Sequence, residues 1–90
     1  MIEADLAAGR EALQHGSSKR ALRYAWSAAI SSVANYDQRR IDDAIELAEA
    51  IRDRSSGRAR EQAEELAAYA AYARDHPQPP HIFGVTRQPT

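Results

Sequence analysis

The 90-residue sequence contains no cysteine, a single lysine and few large hydrophobic side chains. Without cysteine, the chain has neither a disulfide framework nor a thiolate metal site. No apolar run approaches the roughly 18 residues that a membrane span requires, and the first residues lack the basic and apolar regions of a secretory leader. We therefore expect a cytoplasmic protein that does not enter a membrane.

The charges are nearly balanced, with a formal net charge of −1. Dedicated nucleic-acid-binding domains usually carry a strong basic excess, so the composition argues against a nucleic-acid partner. It also argues against disorder, because low hydrophobicity is not combined with high net charge. Arginine outnumbers lysine 11 to 1 beside 19 alanines, a composition typical of a GC-rich bacterial genome.

Apolar residues recur at helical spacing in four stretches of the chain. In the first, Ile2, Leu6, Gly9 and Leu13 follow one another at steps of four, three and four residues, which places them on one helix face. Glycine on that face predicts a close approach by a neighbouring helix. The four stretches predict an all-α fold of four antiparallel helices, stacked as two hairpins, at residues 2–15, 18–35, 38–54 and 57–75.

Turn and capping residues separate these stretches. Gly16 fits the position after a helix end, and Ser17 or Ser18 fits the cap of the second helix. Asp37 fits the cap of the third helix, and Pro77 ends the fourth. Trp26 lies in the stripe of the second helix, where a core position is the first interpretation; an aromatic recognition surface with Tyr24, Tyr69 and Tyr72 is the alternative.

The last residues form a separate region. We divide the chain into a helical domain at residues 1–75 and a proline-rich tail at residues 76–90, where Pro77, Pro79 and Pro80 favour an extended path. Either this tail is disordered, as chain ends commonly are, or it docks through three apolar residues, Ile82, Phe83 and Val85.

Residues 11–21 and 49–59 match when the sequence is displaced by 38 positions. Each segment begins with Glu-Ala followed by Leu or Ile and continues with three variable residues. It then closes with two serines, one variable residue and Arg-Ala. A period of this length is typical of helical-hairpin repeats, here residues 3–33 and 41–74. Similar capping chemistry in two unrelated hairpins is the alternative explanation.

The small residues of the first hairpin carry a family resemblance. Gly9, Gly16, Ala21, Ala25 and Ala28 stand where tetratricopeptide (TPR) repeats carry a helix glycine, a turn glycine and three small residues, so the chain resembles a TPR-like repeat. That resemblance implies that the first helix of each hairpin lines a binding groove. It implies contacts from Arg10 and Gln14, with Arg52 as the repeat counterpart of Gln14, to an acidic or extended peptide.

Two other residue groups suggest different chemistry. Arg10 and His15 have the spacing that small RNA-cleaving helical domains of the HEPN group use, so an RNA-acting or toxin–antitoxin-type domain is the alternative function. A basic patch of Lys19, Arg20 and Arg23 could contact phosphates, although a solvated mixed-charge surface explains it as well. The histidine spacings fit no metal motif, and we expect no metal or cofactor.

The leading functional interpretation is a non-enzymatic protein–protein interaction module. A solenoid usually needs at least about three repeats, so two hairpins leave end faces uncovered. A second copy in a homodimer, the chain's own tail or a different protein could cover them.

Overall fold

The computed structural model describes residues 2–76, and this part of the chain contains four α-helices and no strand. The helices are α1 (Ile2–Gln14), α2 (Ser18–Ala34), α3 (Gln38–Asp53) and α4 (Gly57–Asp75). The all-α prediction is confirmed: all four helices begin at the predicted residue, and the first three end one residue early. Ile82, Phe83 and Val85 lie outside the described residues.

Local side-chain and backbone chemistry sets the helix ends. The side chains of Ser17 and Asp37 accept hydrogen bonds from the backbone N–H groups of Arg20 and Arg40, at 3.3 and 3.2 Å. Each bond satisfies one of the free N–H groups of a helix start. Gly16 has φ of 81° after α1, a left-handed conformation that suits glycine. Ser56 precedes α4 but makes no side-chain capping bond.

The core is built from all four helices and is rich in alanine. Helices α1 and α2 pack together, as do α3 and α4, while α2 also contacts α3 and α4, and α1 contacts α3. The larger side chains of the main cluster are leucines and one isoleucine: Leu6, Leu13, Leu22, Leu47, Ile51 and Leu66. Fully buried alanines fill the remaining space, so the helices lie close but bury little apolar area per residue.

Helix α4 contributes least to this core. Of its 19 residues only Ala63, Leu66 and Ala70 are buried, whereas α3 buries six of 16. A second, smaller cluster joins Ala70 to Ile41 and Ile45 of α3. The fully buried part of α4 is therefore one leucine and two alanines, and partly buried alanines (Ala59, Ala67 and Ala71) add to its packing.

Trp26 is half-buried and lies at the edge of the core. It packs against the main cluster from outside, and its ring centroid lies 5.6 Å from that of Tyr69 on α4. The interpretation of Trp26 as a core residue is therefore met only in part: Trp26 packs on the core, while the buried α2 positions are held by alanines, Leu22 and Ser32. Tyr69 and Tyr72 are exposed.

Polar contacts on the surface connect helices distant in sequence. Arg40 pairs with Glu3, and Arg74 pairs with Asp42 at 3.1 Å. Hydrogen bonds from Arg74 to Asp42, and secondarily to Asp75, raise the pKa of the Arg74 guanidinium. Such exposed pairs orient helices more than they stabilise them. Among residues 2–76, no helix is long and apolar enough to cross a membrane.

Candidate functional site

A groove lies between α1 and α3. The close contact of these two helices depends on Gly9, which has no side chain. If Gly9 carried a Cβ atom, that atom would lie 2.7 Å from Leu47 Cδ2 on α3, closer than real Cβ contacts allow. The glycine therefore lets the Leu47 side chain reach the α1 backbone. This confirms that Gly9 permits the close approach predicted from the sequence.

Seven residues line the groove, which has a volume of about 250 Å³. Leu13 and Leu47 are buried and form its floor. Small-molecule sites are usually enclosed and about 300–1,000 Å³ in volume, so this open groove suits a few side chains of a peptide better than a whole small molecule. The remaining lining residues are Arg10, Gln14, Glu46, Ala50 and Arg54.

The charged residues of the groove have no ion-pair partner among residues 2–76. Arg10 and Arg54 supply two guanidinium groups, and Glu46 supplies one carboxylate on the α3 side. Arg54 Nη1 donates a long hydrogen bond, 3.4 Å, to the carbonyl oxygen of Leu13, which holds Arg54 against the end of α1. The groove thus offers two cationic groups and one anionic group to a ligand.

The structure brings together some of the residues that the TPR resemblance implied. Arg10 and Gln14 line the groove, but Arg52 is not among its lining residues. The Arg52 guanidinium instead binds Asp53 Oδ1 at 3.1 Å, and its carbonyl accepts a hydrogen bond from Arg60. Arg54 occupies the corresponding end of the groove.

Sequence reasoning missed Glu46 and Arg54. Together with Leu47 and Ala50 they follow one another at steps of one, three and four residues, so they share a face of α3 and its C-terminal cap. This spacing could have identified them. The repeat register instead pairs Gln14 with Arg52.

Arg10 and His15 do not share a site within the chain. Arg10 lines the α1–α3 groove, whereas His15 lines a separate depression with Glu11, Arg20 and Tyr24. The His15 ring Nδ1 lies 2.9 Å from the Glu11 carbonyl oxygen. The spacing of these two residues in the sequence therefore does not produce a converging pair in one molecule.

The basic patch is a continuous exposed surface. Lys19, Arg20 and Arg23 line one shallow depression, and Lys19 also lines a second depression with Arg58 of α4. In the part of the chain that the structure describes, none of these four residues forms a salt bridge.

Metal-binding geometry is not found in residues 2–76, where no three histidine, aspartate or glutamate side chains come together. No family model matches the chain, and neither the curated proteins nor the solved structures give a significant match.

Proposed function

We propose that this chain is a non-enzymatic protein-interaction module of the TPR-like type, which binds an extended acidic peptide in the α1–α3 groove. The observation that carries the proposal is the pair of arginines, Arg10 and Arg54, above an apolar floor and without carboxylate partners in residues 2–76. The other elements of the proposal are the stacked antiparallel hairpins and the ligand chemistry.

The burial pattern supports two equivalent hairpins. When the sequence is displaced by 38 residues, six pairs of equivalent positions are buried in both halves. Shared burial is a more specific sign of duplication than shared alanine content. A duplicated hairpin should bury equivalent positions, since each unit covers its neighbour, and six of the ten residues buried in α1 and α2 have a buried counterpart. The pairs are Leu6 and Ala44, Gly9 and Leu47, Leu13 and Ile51, Ala25 and Ala63, Ala28 and Leu66, and Ser32 and Ala70.

The short connections support the antiparallel arrangement. Three residues separate each helix from the next, at 15–17, 35–37 and 54–56. Such short connections favour antiparallel neighbours in helical proteins. The contact of α1 with α3 then corresponds to the first helices of two adjoining repeats.

The groove chemistry favours a peptide with a carboxylate. Arginine binds carboxylates through two parallel hydrogen bonds, and Arg10 and Arg54 are both exposed for such contacts. Gln14 adds an amide that can donate to or accept from a peptide backbone. The Glu46 carboxylate favours a peptide that also carries a hydrogen-bond donor, placed beside its acidic residue and close to α3.

The RNA-acting alternative has less support. It needs Arg10 and His15 to act on one scissile phosphate, and their side chains line different depressions. Incubation of the purified protein with single-stranded RNA should leave the RNA intact.

A peptide-display selection tests the proposal. The immobilised protein is exposed to a library of random twelve-residue peptides, and the affinity of selected peptides is measured by fluorescence anisotropy. We expect enrichment of aspartate and glutamate, and we expect Arg10→Glu to weaken binding by roughly 10- to 100-fold, the equivalent of one charged hydrogen bond.

Arg39→Glu provides the matched control. Arg39 is an exposed arginine on α3 that neither lines the groove nor forms a salt bridge among residues 2–76. This variant has the same net charge as Arg10→Glu, so it should bind like the unmodified protein apart from a small general charge effect. Equal weakening by the two substitutions, or peptides without acidic residues, would contradict the proposal.

A further inference from the structure

Helices α2 and α4 expose apolar side chains that do not line the groove. Tyr72 is 66% exposed, Ile30 53% and Tyr69 37%, and the half-buried Trp26 connects them because its ring packs on that of Tyr69. Trp26 and Ile30 are four residues apart, and Tyr69 and Tyr72 are three apart, so each pair shares one helix face. Exposed aromatic patches of this kind mark contact surfaces. We call these four residues the aromatic face.

We propose that the chain's own C-terminal segment, residues 77–90, covers the aromatic face through Ile82, Phe83 and Val85. The first argument is the place where α4 ends. His76 follows α4 directly, and its ring stacks on that of Tyr72 with centroids 4.1 Å apart. The segment therefore starts at the edge of the aromatic face.

The segment is also long enough to reach the aromatic face. Phe83 is seven residues beyond His76, so an extended chain spans about 22–25 Å between them. The distance from residue 76 back to Tyr69 along α4 is only about 10 Å at helical rise. The Trp26 ring is a further 5.6 Å from that of Tyr69. The segment is long enough to place all three apolar residues on the face.

The third argument is charge. Residues 77–90 contain Arg87 but no aspartate or glutamate. Glu65 lies four residues before Tyr69 on α4, at the far end of the aromatic face, and it forms no salt bridge among residues 2–76. A segment folded back along α4 brings Arg87 towards Glu65.

A tethered segment also has an advantage over a second copy of the chain. Its effective concentration at the face is on the order of millimolar, whereas a second copy is diluted to the protein concentration. Pro77, Pro79 and Pro80 restrict the unbound segment, and this lowers the entropy that docking removes.

Trp26 is the only tryptophan, so its fluorescence reports directly on the aromatic face. The full-length chain, Phe83→Ser and the control Gln88→Ser are compared by emission maximum and by acrylamide quenching. Phe83→Ser should shift the emission to longer wavelength and increase quenching, while Gln88→Ser should match the unmodified chain. Nuclear Overhauser contacts between the Phe83 ring and the rings of Trp26 or Tyr72 should be present.

Two results would overturn the proposal. One is unchanged quenching in Phe83→Ser together with no Overhauser contact from Phe83. The other is a dimer, detected by light scattering, that Ile30→Ser dissociates and Phe83→Ser leaves intact, since the face then belongs to a second copy. Circular dichroism of each variant establishes that its helices are retained.

Discussion

Gly9 shows how strongly helix packing in this small, alanine-rich core depends on a single residue. The apolar spacing of α1 predicts a close contact at this residue, and the structure supplies Leu47 as the partner. The sequence could not name the partner, because Leu47 lies 38 positions away and the contact depends on how α1 and α3 are rotated against each other. Residue spacing gives the face of a helix but not what packs on it.

The effect of Gly9→Ala on the free energy of unfolding should change sign with the residue at position 47. In the unmodified protein we expect net destabilisation, because the added Cβ atom would lie 2.7 Å from the buried Leu47 side chain, and such overpacking costs about 1–3 kcal/mol against a gain of at most about 1 kcal/mol from helix propensity. In a Leu47→Ala background the obstructing Cδ2 atom is gone, so the same substitution should stabilise the protein. Urea unfolding of the four variants measures both effects, and destabilisation of equal size in both backgrounds would contradict the contact.

The groove residues show the same limit. Arg10 and Gln14 followed from the TPR resemblance, but Glu46 and Arg54 did not, because a groove is defined by two helices at once. Trp26 was misplaced for a related reason. Its spacing puts it on the apolar side of α2, but the buried positions there are occupied by alanines, Leu22 and Ser32, and Trp26 packs at their edge.

At the scale of the helices, prediction was most accurate where the chemistry is local. All four helix starts agree with the structure, and at α2 and α3 the reason is local, because Ser17 and Asp37 bond to N–H groups three residues away. Helix ends differ by at most one residue, a normal difference where terminal turns fray. Local capping thus fixes the elements, while their mutual packing needs the whole chain.

The two helix caps Asp37 and Ser56 should differ in their contribution to stability. Asp37→Ala removes a side-chain bond to the Arg40 N–H, so the free energy of unfolding should fall by about 1 kcal/mol. Ser56→Ala removes no capping bond and should change it by less than about 0.5 kcal/mol. Urea unfolding followed by circular dichroism measures both values, and a larger effect from Ser56→Ala would contradict the assignment of the caps.

At the scale of the whole molecule, the unequal burial of α3 and α4 divides the chain into a firmly held part and a loosely held part. Ala63, Leu66 and Ala70 are the buried residues of α4, and alanine contributes little apolar area. Local stability follows the number of buried apolar contacts, so the opening of α4 requires less free energy than the opening of α3.

Native-state hydrogen exchange should therefore show faster exchange of α4 amides than of α3 amides, after each rate is corrected for the intrinsic exchange rate of that amide. Similar protection of the two helices would show that α4 opens only when the whole domain unfolds. The residues that line the groove all belong to α1, α3 and the C-terminal cap of α3, and none belongs to α4. If a peptide binds there as proposed, it should slow amide exchange in α1 and α3 and leave the fastest α4 amides unchanged.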